Sequence, residues 1–521
     1  MLIDAGRDLP RATIRCDVCI IGAGPAGMTL ARELDDGRRE ICLLESGGES
    51  FEAATQSLLA AAQGSDGYPP LQAVRVGALG GSTHVWAGWC RPLDAIDFER
   101  RPGMPSSGWP IARADLDPFY VQAHEALGLG PVDYDPASWE RSSGCRALPL
   151  AGDDMNAIIF RKSEVAFGRQ HGAALRRSRK VHVCLHATAL SLRYSPEGRR
   201  VRSIEVGVSG RRGTFEVVPK IVVLAAGGIE NARMLLLSDA TGYQGPVNVR
   251  GVVGRYFTEH CYVDGGTFEP SGESSPAFCF PRSARARDRV ARGAYAPATK
   301  AMHRHSLLNC AISFRHAYES DPAFDDSAVQ SLLRAWDMCR RRAVPYKFGQ
   351  ELAHAASAPH KAFRALWGRL RGRRGAPNEW RLRSLVECSA DPENRVELGA
   401  EKDAFGRPLT RIHWRVRDRE LRSARNAHAL FAAAVQQAGL GRVALAEDDW
   451  SSRMEPALHH LGTTRMHDDP AHGVVDRDAR VHDIDNLYVA GGSVFTTGGF
   501  ANPTLTILAL TFRLARHLKS R

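Results

Sequence analysis

The sequence predicts an α/β protein in which the two ends of the chain build one parallel sheet and the middle supplies a second domain of α+β type. Three observations predict this. An apolar run at residues 15–21 is closed by Gly22-Ala23-Gly24-Pro25-Ala26-Gly27, a second at 220–226 by Gly227 and Gly228, and a third at 486–490 by Gly491 and Gly492. With 521 residues, 44% of them hydrophobic, the chain can bury a large core and divide into two domains.

Each element follows from its residues. Residues 15–21 (RCDVCII) are rich in Val and Ile, as suits a strand buried on both faces of a parallel sheet. The three glycines then permit a tight turn, close approach of backbone to a pyrophosphate and close packing of helix on strand. Pro25 has no N–H to leave unpaired near a helix start. Residues 28–34 are good helix formers, stopped by Asp35, Asp36 and Gly37, and residues 40–44 (EICLL) read as a second strand. Glu45, with Ser46 beside it, stands about 18 residues beyond Gly27, near the spacing at which a carboxylate meets the ribose hydroxyls of a dinucleotide. That acid argues against a 2′-phosphate. A lone GxGxxG is weak; strand, turn, helix, strand and acid in order make a Rossmann-like site specific.

Further along, residues 110–130 carry a helix-start signal at Asp115 to Pro118 and helical spacing, and read as peripheral. Residues 181–192, 201–208 and 214–218 read as short strands of a small sheet. A helix is expected over 229–238, after Ala226 and Gly227. Strands are expected within 385–398 and 410–416, and a long amphipathic helix over 418–439.

The C-terminal quarter holds His459-His460-Leu461-Gly462-Thr463-Thr464-Arg465-Met466, then Gly491-Gly492-Ser493, then Gly498-Gly499-Phe500-Ala501-Asn502-Pro503-Thr504. Between the ends lies Gly80-Gly81-Ser82-Thr83-His84-Val85-Trp86. With the N-terminal glycine fingerprint, these segments resemble the glucose-methanol-choline (GMC) family of flavin alcohol oxidoreductases. The resemblance covers residues 14–98, 220–262 and 380–517. It implies a discontinuous Rossmann-like FAD-binding domain and an α+β substrate domain with an antiparallel sheet over the flavin, formed from the strands at 385–398 and 410–416. An NAD domain would be continuous, so FAD is the expected cofactor, held by Gly22, Gly24, Pro25, Ala26, Gly27, Glu45, Ser46, Gly80, Gly81, Ser82, His84, Trp86, Ala226, Gly227, Gly491, Gly492, Asn502, Pro503 and Thr504. His84 is open to three roles: covalent attachment of the flavin, lining of the pocket, or an ordinary hydrogen-bonded histidine. Val85 sets it one residue out of register with the pyranose-oxidase pattern.

The resemblance also implies the chemistry. Oxidising an alcohol needs a hydride acceptor, which flavin N5 supplies, and a base for the hydroxyl proton. The HxxGT spacing selects His459 over His460 as that base, and an imidazole near pKa 6.5 suits the task at neutral pH. Asn502 is expected to orient the substrate oxygen, with Pro503 starting a helix over 505–514 whose positive end faces the flavin. The expected function is FAD-dependent oxidation of a CH–OH group in a sugar, polyol or natural-product alcohol. Other readings on the same scaffold are an oxidase or desaturase, a non-redox lyase retaining FAD, or a membrane-associated binding protein. The electron acceptor is open between O2, a quinone and another carrier.

These assignments divide the chain into FAD-binding segments at 1–95, 180–262 and 455–521, and substrate or peripheral segments at 96–179 and 263–454. The formal charge is +11, mostly arginine, without a nucleic-acid motif. A basic insertion at 328–376 carries Phe363, Leu366, Trp367 and Leu370 in one helical stripe, open to packing on its own domain or to contact with an anionic membrane or acidic partner. The eleven cysteines lack regular spacing, so a disulfide framework is not expected. Cys16 and Cys19, three apart in a strand, are expected on opposite faces and in the core, and no metal site is predicted. No signal peptide or membrane span is read, which predicts a cytoplasmic protein. Glu387 is open between a place facing the pocket and one at a sheet edge.

Overall fold

The computed structural model describes residues 1–8, 13–62, 68–143, 146–210, 213–240, 246–271, 279–280, 290–316, 380–447 and 449–521. The basic insertion at 328–376 and its apolar stripe lie outside the described residues.

Among these residues the first sheet has eight strands, in the order Leu2–Asp4, Val181–Leu185, Ile41–Leu44, Thr13–Ile21, Thr214–Leu224, Val201–Val208 and Ala187–Tyr194, with Leu487–Val489 also paired to Thr214–Leu224. Leu2–Asp4 to Thr214–Leu224 run parallel, as does Leu487–Val489; the last two are antiparallel. The strands expected at 214–218 and 220–226 are one continuous element. Its first half pairs with Val201–Val208, its second with Leu487–Val489. Val181–Leu185 joins the parallel sheet rather than a separate small one. Helix Pro25–Leu34 starts at Gly24, and Thr504–Lys519 packs Leu505, Leu508 and Ala509 into the same core.

Helix Asp117–Ala126, read as peripheral, is not. Its Phe119, Tyr120 and Ala123 belong to that core, and Tyr120 Oη and Thr506 Oγ1 are 2.9 Å apart. Helical spacing locates an apolar face but not what it meets.

The second sheet has nine antiparallel strands among the described residues. Its main path is Gly441–Leu445, His260–Pro270, Trp380–Glu387, Cys310–His316, Val290–Pro297, Met155–Lys162 and Trp89–Cys90. Helix Asp418–Gln437 covers it, burying Ala424, Ala427 and Phe431 against Phe268, Tyr295, Phe314 and Trp380. Two expectations for this sheet need correction. The pattern at 385–398 holds two strands, Trp380–Glu387 and the start of Arg395–Lys402, and only the first joins the sheet. Arg395–Lys402 pairs instead with Pro408–His413 in a separate hairpin.

Cys16 and Cys19 are buried, as expected, but not on opposite faces: their thiols hydrogen-bond with each other and with Cys42. The Asp17 and Val18 amides both donate to Glu40 O, so strict alternation fails between the two cysteines. No group of metal-binding side chains occurs among the described residues.

Candidate active site

The glycine turns of the first sheet meet at one end of its strands. Gly22 (φ 104°) and Gly227 (φ 93°) follow adjacent parallel strands, and Gly491 (φ 114°) follows Leu487–Val489. The side chain of Asn231 joins two of these turns: Oδ1 accepts from Ala226 N, and Nδ2 donates to Ala490 O and Ser493 Oγ. The loop of Gly80 and Gly81 closes over the first turn. Gly80 N donates to Ala23 O at 2.8 Å, and a Cβ on Gly81 would lie 3.0 Å from Gly24 Cα. Gly24 itself differs from its neighbours. Its φ of −74° is open to any residue and a Cβ there would meet nothing within 4 Å, whereas one on Gly27 would lie 1.9 Å from Gly22 O. Gly27 is therefore required by helix–strand packing, while Gly24 leaves room beside the uncapped first turn of a helix, where backbone N–H groups favour an anion. Glu45, buried at the end of Ile41–Leu44, accepts from Ala23 N and Gly47 N; burial raises its pKa against the pull of those amides.

A second group of side chains gathers where the two sheets approach. The segment at 458–466 is zipped between Thr258, which exchanges both backbone hydrogen bonds with Leu461, and residues 492–494, which accept from Gly462, Thr464 and Met466. Gly462 is required there: its φ is 83°, and a Cβ would fall 2.3 Å from Tyr256 O. This holds His459, half-buried, with Nδ1 2.9 Å from His260 Nδ1 and Nε2 3.3 Å from Asn502 Nδ2. Asn502 is also half-buried, so the pair is reachable from one side. Burial, then His260 and His460, hold the His459 imidazole well below its ordinary pKa. His460 turns away, toward Tyr68 and Phe257.

Behind the pair lies a layer of buried charge. His260 and Glu387 are register partners on adjacent antiparallel strands. Arg101 grips Glu387 through both guanidinium nitrogens, at 2.8 and 2.5 Å, and Asn309 N donates to the same carboxylate. Burial opposes the charge on Glu387, but Arg101 holds its pKa below the carboxylate range. Glu259 accepts from Tyr68 Oη at 2.6 Å and from His459 N at 2.9 Å, and burial pushes it up to about 7. Asp97, also raised to about 7 by burial and by Glu387, accepts from Asn309 Nδ2.

Residues 390–511 match the family model for the GMC oxidoreductase domain. Across 97% of this chain and 95% of the other, the sequence is 24% identical to 2-methyl-1,2-propanediol dehydrogenase of Mycolicibacterium austroafricanum. Residues 390–511 are thus a GMC oxidoreductase domain. A shorter stretch, 26% of this chain and 25% of the relative, is 33% identical to paromamine 6'-oxidase of Streptomyces fradiae. The fold is that of pyridoxine 4-oxidase from Mesorbium loti (TM-score 0.53, 18% identity, 97% and 99% of the two chains) and of formate oxidase from Aspergillus oryzae (TM-score 0.55, 15% identity, 98% and 99%).

The predicted residues fall into three places. Gly22, Gly24, Pro25, Ala26, Gly27, Gly80, Gly81, Ala226, Gly227, Gly491 and Gly492 lie on the converging turns, with Glu45 and Ser46 after the neighbouring strand. Asn502, Pro503 and Thr504 lead into the C-terminal helix, whose first turn has no side-chain cap. Ser82 and His84 lie on an exposed 3-10 turn, where the His84 ring bonds Leu79 O at 2.9 Å, and Trp86 packs partly on the core. Glu387, left between pocket and sheet edge, is wholly buried behind His260. Arg101, Glu259, His260 and Asn231 were not singled out by the sequence. Glu259 and His260, like Asn231, fall in the stretch at 220–262 that carries the family resemblance, but in no motif of their own.

Proposed function

We propose that this flavoprotein is an FAD-dependent oxidoreductase that oxidises a CH–OH group of a small alcohol or sugar to a carbonyl, with His459 as base. The observation that carries this is the His459–Asn502 pair, half-buried and backed by buried charge, on the family segment with the HxxGT spacing. The named relatives, 2-methyl-1,2-propanediol dehydrogenase and paromamine 6'-oxidase, support an alcohol donor.

The open space at Gly24 and the uncapped helix start beside it fit the pyrophosphate of FAD, and Glu45 fits its ribose. Gly22, Gly27, Gly80, Gly81, Gly227, Gly491 and Gly492 shape the remaining walls, and the N-terminus of Thr504–Lys519 offers a positive end to anionic flavin. Bound there, FAD supplies a two-electron acceptor. The chain's own part is to hold the alcohol and take its proton. His459 is neutral at pH 7 because its pKa is lowered, so its free nitrogen accepts the hydroxyl proton, and the Asn502 amide fixes the oxygen. His84, bonded to Leu79 O on an exposed turn, is read as an ordinary hydrogen-bonded residue, which leaves the flavin noncovalent. The division into FAD-binding segments at 1–95, 180–262 and 455–521 is part of this reading.

Anaerobic mixing of the purified flavoprotein with a panel of diols, aminoglycosides and monosaccharides tests it. Bleaching of the flavin by at least one alcohol is expected; a flavin that no alcohol reduces, though dithionite does, counts against the alcohol donor. Acid precipitation should release the flavin, and yellow protein that loses its colour in His84→Ala would reverse the assignment of His84.

A further inference from the structure

We infer that His260 is a positioning residue that locks His459 in the tautomer whose Nε2 is bare and faces Asn502. The inference rests on the reading of His459 as the base, and three successive contacts link Gly498, His260, His459 and Asn502. His260 Nε2 lies 3.2 Å from Gly498 O. A carbonyl oxygen only accepts, so that nitrogen carries the proton. In a neutral imidazole the other nitrogen is then an acceptor, and His260 Nδ1 lies 2.9 Å from His459 Nδ1. His459 Nδ1–H must donate across this contact, which leaves His459 Nε2 without a proton. The far end agrees: the group 3.3 Å from His459 Nε2 is the Asn502 amide nitrogen, which only donates. The opposite arrangement would set a His260 lone pair against the Gly498 carbonyl in a buried place and a His459 N–H against the Asn502 NH2.

Two further observations fix His260 in this role. A Cβ on Gly498 would lie 3.0 Å from His260 Nε2 and one on Gly499 2.5 Å from Asp97 Oδ2, so the paired glycines let buried polar side chains reach this backbone. The neutral state of His260 follows from burial, which lowers its pKa against the pull of the Gly498 carbonyl and of Glu387. The ionisable groups around it are Glu387, whose charge Arg101 already balances, His459, and Glu259, which accepts from its backbone N–H at 3.3 Å. When His459 Nε2 takes a hydroxyl proton, an N–H bond forms, the O–H bond breaks, and His459 becomes imidazolium with Nδ1–H still donating to His260. His260 keeps its own proton throughout. It acts on the reaction only through His459.

The tautomer is read directly, without turnover, from long-range 1H–15N spectra of flavin-loaded protein labelled at histidine, with His459→Ala supplying the assignment. A protonated Nδ1 and bare Nε2 on His459 are expected; the reverse overturns the inference. The second arm compares His260→Phe with His260→Asn, whose Oδ1 restores an acceptor near the position of Nδ1. In variants that keep wild-type flavin content, Phe should slow anaerobic flavin reduction about 10²-fold, Asn should stay within about tenfold of wild type, and KM should move less than about twofold. Equal losses in the two variants, or none in Phe, overturn it. A His459→Ala variant as fast as wild type, with the expected wild-type tautomer, would instead sink the assignment of the base while the positioning stood.

Discussion

At the ends of the parallel strands the chain offers backbone: turns at Gly22, Gly24, Gly227 and Gly491, with a carboxylate at Glu45 held by two amides. Where the antiparallel sheet meets them it offers side chains, His260, Glu387, His459 and Asn502, backed by Arg101 and Asp97. The first region depends on what is missing, since its glycines make room. The second depends on what is present, since each buried polar group there has a partner whose removal strands another. Binding should therefore fail through added atoms in one region, and chemistry through deleted atoms in the other.

The largest effect is expected in the crevice. Gly24→Val should keep the fold, because its φ and its space accept a side chain, yet lower bound flavin to below about a tenth of wild type by filling the room proposed for the pyrophosphate. Gly27→Val should fail to fold, since its Cβ overlaps Gly22 O. Absorbance and circular dichroism separate the two, and a yellow Gly24→Val protein would break the contrast.

In the other region, Arg101→Met should cost about 3–5 kcal/mol in urea unfolding, because it leaves Glu387 buried and unpaired. Pairing it with Glu387→Gln should recover part of the loss; a single variant as stable as wild type would show that the ion pair does not hold this end together. His459→Ala should keep its flavin and slow anaerobic reduction by about 10²-fold or more, and Asn502→Ala by about tenfold, as measured by stopped flow. Rates equal to wild type in both would leave the pair without a chemical role.

The smallest effect is a pH dependence. The folded pKa of Glu259 is raised to about 7 by burial, so its contribution is full below the unfolded value of 4.5 and is lost as pH rises through 7. Glu259→Gln should therefore lose less stability than wild type across that interval in urea titrations. An equal slope would mean that Glu259 ionises in place without cost.

The same contrast explains what the sequence disclosed. The strand-and-glycine crevice was legible because its parts are local: a turn such as residues 22–27 is specified by neighbours in the chain, and glycine spacing is visible without knowing what packs nearby. His459 and Asn502 were legible through the motifs that flank them. Arg101, Asn309 and Glu387 were not, because an arginine in a loop and an acid in a strand become a buried pair only when topology joins residues 286 apart in sequence. The hairpin of Arg395–Lys402 and Pro408–His413 was misplaced for a related reason: alternation marks a strand but not the sheet it enters.

The short strand Leu487–Val489, paired to the second half of Thr214–Leu224, bears on the order in which the molecule is made. Asn231 waits for Ser493, 262 residues later, an interval of roughly 13–50 s at a ribosomal rate of about 5–20 residues per second. Throughout that time the nascent chain has Val222, Val223 and Leu224 with one edge uncovered, and an apolar strand edge is a template for pairing with another chain. The strand that completes the crevice is thus also the cover that ends this exposure, so higher expression, which brings more unfinished chains together, should raise the insoluble fraction through pairing at that edge.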